Sequence, residues 1–191
     1  MEPLLTKIAN CRTCEAHLPY GPRPVVQLSE HCRILLIGQA PGRRVHASGV
    51  PWDDPSGVRL RKWLGLSDEV FYDPKRVGIL PMGFCYPGTG KSGDLPPRPE
   101  CAPQWHGEVN AQLSEVRLTV LIGRYAQEYY LKDKNYRTLT QKVLNFEKFL
   151  PAYFPVPHPS PRNIAWFKKN PWFESAALPI LKSYIVQALK P

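Results

Sequence analysis

Ile34-Leu35-Leu36-Ile37-Gly38-Gln39-Ala40-Pro41-Gly42-Arg43-Arg44-Val45-His46-Ala47-Ser48-Gly49-Val50-Pro51-Trp52-Asp53-Asp54-Pro55-Ser56-Gly57 is the stretch from which the rest of the chain reads outward. Its four leading apolar residues predict a buried strand. Residues 38–57, rich in glycine and proline, predict a long loop. Residues 58–64 predict a helix with Ser56 as its N-cap and Gly65 as its stop. A loop of this length is uncommon inside a compact domain unless it is functional. The competing reading, a solvated surface loop, gives no reason for Trp52.

Outward from this stretch, apolar runs at residues 77–84 and Leu118–Ile122 predict two more buried strands. A fourth, at 152–156, is bracketed by Pro151, Pro155 and Pro157 and predicts an edge strand. Helical patterns fall at residues 1–10, from about Pro99 onward, at 125–131 after Gly123, at 138–149, and at 172–189 with Pro179 as a kink. Cys101, Trp105, Val109 and Leu113 lie along one stripe of the second of these. Arg59, Arg61 and Lys62 lie off the apolar face of helix 58–64 and read as solvated charge. Strands alternating with helices predict one α/β domain over residues 1–191. It is a three-layer sandwich with a central, mainly parallel four-stranded sheet and helices on both faces. Such sheets bind ligands beyond the carboxyl ends of their strands. The loop after Ile37 leaves the first strand and His158 leaves the fourth, so the two converge on one rim.

The chain has 191 residues, 22 of them proline, and its 25 Lys and Arg exceed its 16 Asp and Glu by nine. That excess points to a polyanionic partner, with nucleic acid ahead of a membrane surface. No apolar run approaches the length of a membrane span, and residues 1–11 lack the layout of a signal peptide. The expected setting is therefore cytoplasmic, and the five cysteines read as thiols or metal ligands rather than disulfides. A Gly-x-x-Pro-Gly turn after a strand lets backbone amides approach a ligand closely. Its spacing is neither a dinucleotide fingerprint nor a phosphate loop. Ser160 lacks a nucleophile-elbow context, which argues against acyl transfer.

Gly38-Gln39-Ala40-Pro41-Gly42, Gly49-Val50-Pro51-Trp52, Ser56-Gly57 and His158-Pro159-Ser160, in this order, resemble the motifs of the uracil-DNA glycosylase superfamily. The similarity is greatest to its family 4, the iron–sulfur type, and runs from Cys11 to about Asn163. It implies hydrolysis of the N-glycosidic bond of a flipped-out uracil or related base in DNA, within base excision repair. It implies that Gly38, Ala40, Pro41, Gly42 and Trp52 frame the base, with Trp52 where phenylalanine is usual. It implies that His158 hydrogen-bonds the uracil O2, and that Ser160, Arg162 and Asn163 contact DNA. Cys11, Cys14, Cys85 and Cys101 match the family's four ligands to a [4Fe-4S] cluster. Four thiolates also suit zinc, and free cysteines with no metal remain an alternative. Cys32 is left over as a buried thiol.

The chain departs from that pattern where the family has its acids. Gln39 stands in place of a glutamate, and residues 43–46 fill a normally acidic stretch. Counting from Cys85, Pro81 stands where the family has an asparagine that reads the uracil amide edge, and proline has no side-chain hydrogen-bonding group. Water activation then falls to Gln39, His46, Asp53 or Asp54, or to no side chain. The expected protein is a monomeric, monofunctional DNA glycosylase. The alternatives are a non-catalytic nucleic-acid-binding relative and an N-glycosidase of free nucleosides.

Overall fold

The computed structural model describes residues 1–91 and 93–190. Its elements in chain order are α1 (Glu2–Ala9), a 3-10 turn (Glu15–His17), β1 (Ile34–Ile37), α2 (Arg43–Ser48), α3 (Pro55–Leu64), α4 (Asp68–Phe71), β2 (Val77–Ile79), the hairpin of β3 (Thr89–Gly90) and β4 (Gly93–Asp94), α5 (Cys101–Gln112), β5 (Leu118–Ile122), α6 (Arg124–Tyr130), α7 (Leu139–Leu144), a 3-10 turn (Phe146–Phe149), β6 (Tyr153–Val156), a 3-10 turn (Pro161–Asn163), α8 (Ile164–Lys169), a π turn (Phe173–Ala177) and α9 (Leu178–Leu189).

Four strands form one parallel sheet in the order β2-β1-β5-β6. The apolar run of β1 is divided between two cores, because successive side chains of a strand point to opposite faces. Ile34 and Leu36 pack with Leu60, Trp63, Phe71, Val143, Phe173 and Leu181, from α3, α4, α7, the π turn and α9. Leu35 and Ile37 pack with Leu4, Ile8, Trp105, Val109 and Ala126, from α1, α5 and α6. This is the three-layer sandwich expected from the sequence. Each fully buried aliphatic or aromatic side chain contributes roughly 1.5–3 kcal/mol, so a charge at Leu36, which is 0 % exposed, would break the sheet's packing. Among the described residues, no helix is long and apolar enough to cross a membrane.

Several boundaries differ from expectation, each for a local reason. The second strand ends at Ile79 rather than at 84, because Pro81 has no N–H for the ladder. The chain still runs beside β1 and its loop: Leu80 N donates to Leu36 O, Met82 N to Gly38 O and Gly83 N to Gln39 O, each at 2.9 Å. Helix α3 starts at Pro55, not Val58, and its N-cap is Asp54, not Ser56; Asp54 Oδ1 accepts from Gly57 N at 2.7 Å. Proline at the first helical position after an aspartate cap explains the earlier start. Gly65 ends α3 with φ 68°, as expected. The long loop holds a helix of its own, α2, closed by Gly49 at φ 75°. Thr138 and Gln141 form a capping box that opens α7, and the helical run then tightens into a 3-10 turn after Asn145. Pro179 sits in the first turn of α9, directly after the π turn, so the irregularity expected there takes the form of a change from π to α winding. Strand β6 is an edge of the sheet, and Pro155 is accommodated there opposite Leu121.

Candidate active site

The carboxyl ends of β1, β5 and β6 release Gly38, Gly123 and the Pro157-His158 segment onto one rim. The sheet order turns around between β1 and β5, which is where open α/β sheets bind ligands. A cleft of about 430 Å³ opens there. Gln39 and Gly42 line it from the first loop, Trp52, Asp54 and Ser56 from the start of α3, Asp94 from the hairpin, and His158 with residues 160–163 from the β6 end. Gly123 adopts φ 84°, and a Cβ there would come within 3.4 Å of His158 Cβ, so this glycine lets β5 pass beside the histidine.

His158 is held by its own segment. Its Nδ1 accepts a hydrogen bond from Ser160 N at 3.2 Å, and Asn163 Nδ2 donates to its carbonyl at 2.8 Å. Burial pushes its pKa down to about 4, so the ring is neutral at physiological pH. With Nδ1 accepting, the single ring hydrogen sits on Nε2. The site therefore holds a neutral imidazole with one defined donor. From α3, Arg59 Nη1 donates to Pro159 O at 3.2 Å and Ser160 O at 3.5 Å, clamping the segment from below.

Trp52 faces His158 with ring centroids 5.6 Å apart. Its six-membered ring lies over Gly38, where a Cβ would approach Cζ2 to 2.8 Å. The backbone of Trp52 is left-handed, φ 58°. Two neighbours hold it there. Gly57 leaves room for the Trp52 carbonyl that any Cβ would strike, and Arg61 Nη1 donates to that carbonyl at 3.3 Å. Arg61 is fixed in turn by Asp68 at 2.6 Å and by Tyr72 Oη at 3.2 Å. The arginines read as solvated charge are thus partly buried supports of the cleft, while Lys62 is exposed.

The structure brings Gly38, Gln39, Gly42, Trp52, His158, Ser160, Arg162 and Asn163 to this one place. Ala40 and Pro41 belong to the same turn but are not among the cleft-lining residues. Gln39 Nε2 donates to Leu95 O at 3.4 Å, which ties the turn to the hairpin. His46 turns away from the cleft into a cluster with Tyr20 and Tyr86, with centroids 6.1 and 5.8 Å away. Burial lowers its pKa, and among the described residues its Nδ1 has no partner. Asp53 is exposed and outside the lining; Asp54 lines the cleft, but its carboxylate caps α3. Pro81 is buried, and its carbonyl meets His106 Nε2 at 3.0 Å. Two residues escaped the sequence reading. Asp94 is the one carboxylate in the Gly/Pro-rich stretch 86–99, and that isolation was its available signal. Ile164 opens α8 just after Asn163, two residues beyond Arg162, and is an apolar side chain 48 % exposed.

A second, much smaller cavity of about 10 Å³ is lined by Cys11, Cys14, Cys85 and Cys101, together with Arg12, Arg98 and Trp105. The N-terminal pair and the pair flanking the hairpin thus share one space. Phe84 N donates to Cys101 Sγ at 3.3 Å. Burial pushes Cys85 up to about 11 and Cys101 up to about 12, so these thiols keep their protons unless a cation shares the cavity. Among the described residues, no three Cys, His, Asp or Glu side chains are gathered tightly enough to hold a single metal ion. Cys32 is the buried thiol expected, 0 % exposed, beneath Gly78.

A family model described as the uracil DNA glycosylase superfamily matches residues 25–182. The match contains every cleft residue named above, along with Cys85 and Cys101; Cys11 and Cys14 precede it.

Proposed function

Because the chain belongs to the uracil DNA glycosylase superfamily, we propose that it is a monofunctional DNA glycosylase hydrolysing the bond between deoxyribose and a flipped-out uracil or closely related damaged pyrimidine. A base inside the stack is out of reach of any cleft, so it must first be turned out of the duplex. Trp52 offers the face on which it stacks, a contact worth about 1–3 kcal/mol per base. The turn of residues 38–42 frames its edge. As the glycosidic bond breaks, its electron pair passes to the base and negative charge gathers on the base oxygen. His158, neutral with its hydrogen on Nε2, donates to that oxygen and keeps its proton. A preorganised donor of this kind typically contributes a factor of about 10²–10³ in rate. The fixed tautomer of His158 facing Trp52 is the observation that carries the reading.

Arg162 lines the cleft and the exposed Ile164 follows it by two residues, a cationic and an apolar side chain that suit a strand held open after flipping. The net charge of +9 supports DNA as the partner. We take the working setting to be cytoplasmic, where thiols and thiolate-bound metal groups persist, and the working form to be a monomer. The test is strand cleavage after alkali treatment of oligonucleotides carrying uracil, hydroxymethyluracil or hypoxanthine, single- and double-stranded. Breakage at uracil is expected. Binding without release of any base would make the chain a non-catalytic relative. Release from free deoxyuridine alone would make it a nucleoside N-glycosidase.

The four thiols around the second cavity support a [4Fe-4S] cluster held by Cys11, Cys14, Cys85 and Cys101, as in the family 4 type, ahead of the single zinc ion that their spacing in the sequence also allowed. Such a group would tie the N-terminal segment to the chain on either side of the hairpin. The two cavities share no lining residue, so its contribution is structural. Iron and acid-labile sulfide in anaerobically purified protein are expected; neither iron nor zinc would remove the assignment.

A further inference from the structure

The glycosylase reading leaves the sugar cation and the attacking water without a partner, because Gln39 replaces the acid of the first motif. We propose that Asp94, delivered by the hairpin, is the catalytic carboxylate of this cleft: it faces the positive charge at C1′ and takes a proton from the attacking water. The inference rests on the glycosylase reading and adds a residue to it.

Asp94 lines the same cleft as His158 and Trp52. A Cβ on Gly42 would lie 3.4 Å from Asp94 Oδ2, so the carboxylate rests on the last residue of the organising turn, in space that a glycine leaves. Its Oδ1 accepts a long hydrogen bond, 3.5 Å, from Tyr86 Oη. Tyr86 is 0 % exposed and stacks on Tyr20 at 5.5 Å, so the brace is rigid. The hairpin is fastened at both ends. Leu95 N donates to Gly88 O at 2.8 Å, Leu95 O accepts from Gln39 Nε2, and the Arg162 guanidinium packs directly on Gly93, where no Cβ could fit. The residue standing where the acid is missing therefore binds the segment that brings another acid in.

The other candidates are anchored elsewhere or misplaced. Asp54 lines the cleft, but its Oδ1 accepts from the Gly57 amide at 2.7 Å, which fixes the carboxylate at the start of α3 as its cap. Asp53 is exposed and outside the lining, and His46 lies in the Tyr20–Tyr86 cluster. In the step proposed, the C1′–N1 bond breaks and its electron pair leaves with the base, whose oxygen accepts from His158. A water oxygen forms the new bond to C1′. One water proton passes to Asp94 and from there to solvent or to the departed base. The products are the sugar hydroxyl and the base bearing N–H, which balances with one water consumed.

The test compares wild type, Asp94→Asn and Asp94→Glu in single-turnover excision from a uracil-containing duplex. It also compares their affinities for duplexes carrying a cationic azasugar or a neutral tetrahydrofuran in place of the nucleotide. Asp94→Asn should slow excision by roughly 10²–10⁴-fold, and Asp94→Glu should recover part of the rate. Wild type should prefer the cationic analogue. Asp94→Asn should lose that preference while binding the neutral analogue as before, which loss of a merely structural contact would not produce. Excision by Asp94→Asn at the wild-type rate, or a retained preference for the cation, overturns the role of Asp94 and leaves the glycosylase reading standing. A wild type that removes no base removes both.

Discussion

His158 and His106 are the two histidines whose pKa burial pushes to about 4, and they do different work. His106 lies in the sheet-side core, 1 % exposed, between Tyr130 Oη at 2.7 Å and Pro81 O at 3.0 Å, and serves the fold. Both values lie below the ordinary 6.5 of an unfolded histidine, so between about 6.5 and 4 the unfolded chain binds more protons than the folded one. Stability is then fully present above that window and falls as pH drops through it. For His106 alone the loss approaches roughly 3 kcal/mol. Urea midpoints should fall between pH 7.5 and 5 in the wild type and fall less in His106→Gln; equal slopes would contradict a neutral, buried His106. The two histidines were not equally legible. The prolines on either side of His158 marked it as a fixed point after a strand, whereas nothing near His106 signals its partners, which come from residues 81 and 130. Trp52 was legible as bulk that a solvated loop would not carry. Its left-handed backbone, a conformation costing about 1–3 kcal/mol, was not, because it depends on Gly57 and Arg61.

At the scale of elements, α3 supports both walls of the cleft. Arg59 clamps the carbonyls after His158 and lies 5.4 Å from the Phe167 ring, while Arg61, two residues on, holds the carbonyl of Trp52. Helical periodicity assigned these arginines to the polar face. It could not say that their long side chains reach past the helix to carbonyls of other segments. Hydrogen bonds from a charged donor contribute about 1.5–3 kcal/mol. Arg59→Ala should lower the urea-derived stability by about that much and slow excision through a loosened His158, while Lys62→Ala, on the exposed face, should change neither. An Arg59→Ala protein with unchanged excision rate would show that the clamp does not position the histidine. The hairpin was the element the sequence concealed. Its strands have two residues each and sit among glycines and prolines, too short for any alternation to register.

For the molecule as a whole, the sequence was most legible where burial on both faces forces continuous apolar runs. β1, β5 and the edge strand β6 fall where those runs lie, and β2 was overextended past Ile79, where Pro81 interrupts the ladder. The rim was legible because two strand ends carried unusual residues; what the rim does with water was not, because Asp94 arrives from a separate hairpin. The central claim is that this rim breaks a glycosidic bond with a neutral histidine donor. Its most direct measurement is the single-turnover rate of uracil release from duplex DNA for wild type and His158→Ala, with duplex affinity measured in parallel. The variant should be slower by on the order of a hundredfold or more with affinity for the duplex nearly unchanged. Equal rates for the two proteins would contradict the assignment of His158.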